Sequence, residues 1–166
     1  MKLIVAVAEN WGIGNKNKLL FSIPQDMKFF RETTKDSVVI MGRKTLESFP
    51  GKKPLKNRVN IVLTSHSDYD VEGAFICHSV DDAIRLANKY KKEIFVIGGD
   101  MVYREFLPHC DTALVTKVQA VADADSFFPN LDENPDWECV SSSGIMEDNG
   151  YKFEFTTYKN SVKTPN

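Results

Sequence analysis

The chain has 166 residues, 42% of them hydrophobic and 27% charged, with a formal net charge of -2. That length suits one domain with a sizeable core, and the composition excludes a disordered chain or a membrane span. Nothing broadly basic is left to hold a nucleic-acid backbone, and the scattered Cys77, Cys110 and Cys139 encode neither a disulfide framework nor a C-x-x-C site, which points to a reducing, cytoplasmic setting.

Residues 2–8 form a continuous apolar run with β-branched members, the pattern of a strand covered on both faces. The run is shorter than the apolar part of a signal peptide, and no small-residue cleavage site follows it. Residues 9–20 contain two glycines and three asparagines without a sustained period, and read as a loop long enough to act as a lid. Pro24 then marks a helix entry, and Asp26 falls in the first turn on the face of Phe29 and Phe30. Taken alone, the acid complements the helix dipole. Among phenyl rings it also points inward or into a cleft, where a charge is costly unless something binds it.

Ser37–Met41 is a short buried strand ending at Gly42, and a helix over Arg43–Phe49 starts directly after it. Free backbone N–H groups then lie beside two cations and a hydroxyl, which is an anion site before any ligand is named. Past the break at Pro50–Pro54, Arg58 stands at the edge of strand Val59–Leu63, which ends in Thr64-Ser65-His66-Ser67. Strand Ala74–Cys77 leads to a helix with Ser79 and Asp82 as a capping-box-like pair and Val80, Ala83, Ile84 and Ala87 as its inner stripe. Strand Glu93–Ile97 runs into Gly98-Gly99 and a helix over Met101–Leu107 that stops at Pro108, a second strand-glycine-helix junction. Strands Thr112–Val118, Glu138–Ser142 and Tyr151–Tyr158 close the chain, with an acidic and aromatic loop at Ala122–Pro129 and turn residues at Asp148-Asn149-Gly150. The tail from Asn160 to Asn166 reads as frayed.

This order predicts one α/β domain over residues 1–166. Its central sheet is mainly parallel, with an antiparallel C-terminal edge strand and helices on both faces. Ligands gather at the carboxyl ends of such strands, where both glycine junctions sit. Neither a G-x-G-x-x-G fingerprint nor a P-loop is present.

The apolar first strand, Trp11-Gly12-Ile13-Gly14, Ile23-Pro24-Gln25-Asp26-Met27-Lys28-Phe29-Phe30, Val39-Ile40-Met41-Gly42-Arg43-Lys44-Thr45, Arg58, Val96-Ile97-Gly98-Gly99 and Tyr103 together closely resemble dihydrofolate reductase of the bacterial type. They follow that family's order over nearly the whole chain. The resemblance implies hydride transfer from NADPH to dihydrofolate, giving tetrahydrofolate for one-carbon and thymidylate metabolism. It also implies a monomeric, metal-free cytoplasmic enzyme that takes antifolate inhibitors and touches neither nucleic acid nor membrane.

By the same resemblance Asp26 accepts hydrogen bonds from the pterin, steadied by Thr116, with burial raising its pKa against the pull of the helix start. Ile4 and Ile97 offer carbonyls to the pterin's other side. Val5, Ala6, Met27, Phe30, Phe49 and Leu55 wall the cleft, and Arg58 holds the carboxylate of the glutamate tail. NADPH is divided between the two junctions. Gly98 and Gly99, joined in the family by a cis peptide, lie with Ile97, Asp100, Met101, Val102 and Tyr103 beside the nicotinamide half and pyrophosphate. Gly42, Arg43, Lys44 and Thr45 hold phosphate from the other side, and Arg43 with Leu63, Thr64 and Ser65 surrounds the adenosine 2′-phosphate. Ala6, Ile13 and Gly14 orient the nicotinamide. Residues 10–20 form the lid, hydrogen-bonded by Asp125, and Leu19 and Phe21 are grouped with Asp26 as catalytic.

Three positions depart from the family's pattern. Phe21 stands where a tryptophan usually orders a water, and phenylalanine cannot donate that bond. Leu19-Leu20 replaces a residue-proline pair at the lid's end. Asp100 brings a negative charge toward the pyrophosphate unless its side chain caps the helix. Two alternatives stay open: an NADPH-dependent reductase of another heterocycle, and a pterin- or nucleotide-binding module without catalysis.

Overall fold

The computed structural model describes residues 1–163. In chain order the elements are β1 (Lys2–Val7), β2 (Gly12–Asn15), β3 (Lys18–Leu19), α1 (Pro24–Thr34), β4 (Val38–Gly42), α2 (Arg43–Glu47), β5 (Val59–Leu63), β6 (Ala74–Cys77), α3 (Val80–Asn88), β7 (Ile94–Gly98), α4 (Asp100–Phe106), β8 (Thr112–Val118), β9 (Ser126–Phe127), β10 (Trp137–Ser142), β11 (Met146–Asp148) and β12 (Tyr151–Asn160). The main sheet runs β10-β12-β8-β1-β7-β4-β5-β6, with β11 paired to β12. Every pairing from β8 across to β6 is parallel. The antiparallel edge is built by β12, which runs against β8, β10 and β11 and lies one place in from the margin.

Alternation along the strands separates two cores. Leu3, Val5 and Val7 of β1 pack with Val38, Ile40, Ile61 and Val96 under α3 and α4, which add Ala83, Ala87, Val102 and Phe106. On the other face Ile4 joins Val39, Met41, Val62 and Phe95 under α1 and α2, which add Phe29, Phe30 and Leu46. Helices therefore cover both faces, as the near-continuous apolar strands require. Ser79 caps α3 by accepting from the Asp82 N–H at 3.1 Å. The Asp82 carboxylate pairs with Arg85.

Residues 9–20 are more ordered than an unpatterned loop. β2 and β3 form a hairpin, and β2 also pairs with β9 in a small second sheet. Periodicity missed it because each strand is two to four residues long. Residues 160–163, the start of the expected frayed tail, carry hydrogen bonds of their own. Asn160 closes β12, its side-chain oxygen accepts from Val162 N–H at 3.0 Å and Lys163 N–H at 3.3 Å, and Ser161 N–H reaches Asp136 O at 2.8 Å. Residues 164–166 lie outside the described residues.

Candidate active site

The main sheet splits beside its central strand. β1 pairs with β8 along its whole length, from Lys2↔Thr112 to Val7↔Lys117, but with β7 only at Lys2↔Phe95 and Leu3↔Val96. The β4–β7 register also slips between Ile40↔Val96 and Met41↔Gly98, so Ile97 has no partner of its own there. The strands part at their carboxyl ends, where α/β sheets bind ligands. The buried Tyr103 hydroxyl, from α4, spans the split and donates to Ile4 O at 2.7 Å.

Asp26 stands on one side of this opening. Thr116, 3% exposed on β8, donates its hydroxyl to Asp26 Oδ1 at 2.7 Å. Burial pushes the Asp26 carboxyl above the usual carboxylate range, and the Thr116 hydrogen bond pulls it partly back. The Tyr103 phenol is pushed up by its burial and then by the charge of Asp26, so the acid and the tyrosine sense each other across β1. The first turn of α1 has no side-chain cap of its own. It is held from the β11–β12 turn, where Asp148 Oδ2 accepts from Gln25 N–H at 2.8 Å and Asn149 Nδ2 donates to Ser22 O at 2.7 Å. Sequence reading saw turn residues there and missed this clamp, because its partners lie more than 120 residues away.

Arg58 is fixed at the other end of α1. Its Nε donates to Thr34 Oγ1 at 2.9 Å, one terminal nitrogen to Lys56 O at 2.8 Å and the other to Arg31 O at 3.3 Å. Burial, and then the neighbouring Arg31 charge, lower its pKa, yet a guanidinium remains protonated. Three of its five N–H groups are spent on the protein and two remain for an anion. The role of Thr34 had no sequence signal beyond a hydroxyl in the last turn of α1.

The two glycine junctions face one another. A Cβ added to Gly98, whose φ is 134°, would lie 3.3 Å from Thr45 Oγ1, and one on Gly99 would lie 3.5 Å from the same atom. A Cβ on Gly42 would meet Val102 Cγ2 at 3.2 Å. The Gly98-Gly99 peptide is cis. Gly42 pairs with Leu63, so Arg43 and Thr64 leave β4 and β5 side by side, with exposed Ser65 next. Arg43 is already engaged, since its guanidinium donates to Glu47 Oε1 at 2.8 Å, a partner one turn on that sequence reading left out. Lys44 is exposed, with no acid partner among the described residues. Asp100 turns onto its own helix, accepting from Met101 N–H at 2.8 Å and lying 3.9 Å from the Arg104 guanidinium, so its charge is met within α4.

The lid is fastened to the loop before β9. Asp125 Oδ2 accepts from Lys16 N–H at 2.9 Å, Asp125 N–H donates to Gly14 O at 3.0 Å, and Asn17 Nδ2 reaches across to Lys44 O at 2.8 Å. Gly12 is required by contact, because a Cβ there would lie 2.6 Å from Ala124 Cβ.

The expected residues divide by position. Ile4, Phe30, Phe49, Leu55 and Ile97 share one apolar cluster beneath the opening, and Met27 stands 48% exposed on α1. Val5, Val102, Tyr103, Ile13 and Leu63 pack into the opposite core, so only the backbone of Val5 is available to the cleft. Leu19 is 80% exposed on β3 and Met101 is 67% exposed. Leu19 thus faces solvent from the lid hairpin, and an apolar side chain has no proton chemistry of its own to offer. Phe21 stacks edge-on against Tyr151 at 5.1 Å and belongs to the cluster of Ile23, Val118 and Phe153. A separate hollow of about 460 Å³ lies between α1 and β8, β10 and β12; it meets this site only at Thr116 and has no ionisable lining group.

A parallel sheet split beside its first strand, with an acid on one side and facing glycine junctions on the other, defines a small-molecule-binding α/β protein of the cleft type. A family profile described as dihydrofolate reductase matches residues 1–160. The bifunctional dihydrofolate reductase-thymidylate synthase of Daucus carota is 40% identical over 97% of this chain, and the chain spans about a third (34%) of that relative's length. The dihydrofolate reductase of Bacillus subtilis is 37% identical, with 98% of this chain and 97% of that protein covered. Dihydrofolate reductase from Enterococcus faecalis, solved in complex with NADP(H) and RAB-propyl, superposes with a TM-score of 0.85 at 38% identity, covering 96% of this chain and 95% of its own. The chain belongs to the dihydrofolate reductase family.

Proposed function

We propose that the chain reduces dihydrofolate to tetrahydrofolate with NADPH as reductant, acting as a cytoplasmic monomer. The observation that carries this reading is Asp26, a carboxyl whose pKa is raised by burial, bonded to Thr116 at the split beside β1, with the Tyr103 hydroxyl across it. The close-approach glycines at 42, 98 and 99 fit a dinucleotide laid against backbone, with Thr45, Lys44, Thr64 and Ser65 supplying hydroxyls and a free cation. When bound, NADPH supplies the hydride. Cys77, Cys110 and Cys139 are free thiols, in keeping with a reducing compartment.

Asp26 offers two oxygens to the amine edge of the pterin, a two-pronged contact suited to a carboxylate. Ile4 O, which accepts from Tyr103, serves the pterin from the other side with Ile97 O. Reduction of the imine leaves charge on the ring nitrogen, and protonating that nitrogen lowers the barrier. Asp26, bound at the amine edge, sets the ring's proton affinity while water carries the proton, and the lid keeps bulk water out. Phe21 donates no hydrogen bond to that water, so the chain relies on other groups to order it.

Mixing the purified chain with NADPH and dihydrofolate tests the reading: reduced-nicotinamide absorbance falls at a rate that depends on both. NADPH binding without oxidation would leave a binding module, and oxidation with another heterocycle alone would leave a different reductase. Within this reading, Thr116→Val removes the one hydrogen bond that lowers the Asp26 pKa. The pH midpoint of the single-turnover hydride rate then moves upward, which a stopped-flow series across neutral pH measures.

A further inference from the structure

Strand β8 carries an anchor on each face. Thr116 faces α1 and bonds to Asp26, and Lys117, the next residue, points to the opposite face. There its ammonium donates to Asp132 Oδ2 at 2.9 Å and to the Tyr158 hydroxyl oxygen at 3.2 Å, while that hydroxyl donates to Asp132 Oδ1 at 2.6 Å. The same ammonium lies 5.4 Å from the centroid of the Trp11 ring, within range of a cation–π contact. Lys117, Asp132 and Trp11 border a hollow of about 200 Å³ that Glu9 and Glu154 also line.

Trp11 is where the lid enters the core. Its backbone turns sharply at a φ of 63°, its N–H donates to Ala8 O at 2.9 Å, and its carbonyl accepts from Phe128 N–H at 2.9 Å. Its ring is buried between Phe128, stacked at 6.3 Å, and Tyr158, edge-on at 6.3 Å. The ties further along the lid, Lys16 to Asp125 and Asn15 to Asp123 O, lie at the exposed surface.

We propose that Lys117 is a positioning residue that acts through Trp11: it fixes the angle at which residues 12–19 leave the sheet, and so how the lid meets the cofactor half of the cleft. The lid's tip reaches α2 at Lys44, beside the glycine junctions, so a change of angle at Trp11 is felt there. Burial lowers the Lys117 pKa, but the hydrogen bonds to Asp132 and Tyr158 outweigh it, and the group holds its charge more firmly than an ordinary lysine. This inference rests on the reductase reading.

Lys117→Met keeps the aliphatic stem and loses the ammonium's contacts. The KM for NADPH is expected to rise about three- to tenfold while kcat at saturation changes less. Lys117→Arg, which keeps the charge, recovers most of that affinity. Combined with Asp125→Ala, the increase is smaller than the product of the two single increases, because both act on one lid. Tyr158→Phe, which removes a single hydroxyl, moves the KM in the same direction by less and serves if the methionine variant fails to fold. An unchanged NADPH KM with only a lower Tm, or fully multiplicative effects in the double variant, would overturn the proposal. Failure of the reductase reading appears instead in the wild type, as absent NADPH oxidation with dihydrofolate.

Discussion

Asp26→Asn is expected to slow NADPH-dependent reduction of dihydrofolate at neutral pH by on the order of 10² to 10⁴, the scale of a lost acid-base group, with partial recovery at low pH where solution protonates the ring nitrogen. Asparagine keeps the size of the side chain and can still accept from Thr116, so the loss reads on charge and not on packing. Stability moves the other way. A carboxyl whose folded-state pKa is raised disfavours the folded protein once it is ionised, so its contribution is best at low pH and is lost as pH rises through the folded value. The asparagine variant escapes that loss. At pH 7 it should unfold at a higher temperature than the wild type, with the gap closing as pH falls below the ordinary carboxylate range. Turnover and thermal melts across pH measure both; unchanged turnover removes Asp26 from the mechanism.

Arg58→Leu is expected to raise the KM for dihydrofolate by about 10- to 100-fold, the loss of hydrogen bonds to a charged group at roughly 1.5–3 kcal/mol. The KM for NADPH stays unchanged. Arg58→Lys does not rescue it. Thr34, Lys56 and Arg31 consume three donors to aim the guanidinium, and an ammonium cannot be held by three and still present a fork. A pterin substrate lacking the glutamate tail discriminates, because wild type and variant should then turn it over alike. A variant that loses both substrates equally would show that Arg58 supports α1 and not the tail.

Much of this site was legible because its residues obey local rules. Pro24 at the first helical position, Gly42 before Arg43 and Gly98-Gly99 before α4 each mark a strand or helix end, and the structure puts them where the pattern did. The continuous apolar run of β1 foretold cores on both faces. What stayed hidden depends on residues far apart in the chain. Asp148 holds the first turn of a helix more than 120 residues away, Glu47 neutralises a cation assigned to phosphate, and Lys117 meets Trp11 only after β8, β12 and the 131–133 turn have assembled. The β2–β3–β9 sheet escaped for a different reason. Its strands are too short to carry a period, and close glycine contacts specify it more than hydrophobic pattern does. Leu19 was assigned through family position, and its exposure follows from lying on the outer strand of that hairpin.

The most direct measurement is a carbon NMR titration of the Asp26 carboxyl in aspartate-labelled protein, assigned by its absence from Asp26→Asn. The expected midpoint lies above the range of ordinary aspartates and moves higher still in Thr116→Val. A midpoint at or below that range, unmoved by loss of the threonine hydroxyl, would contradict it.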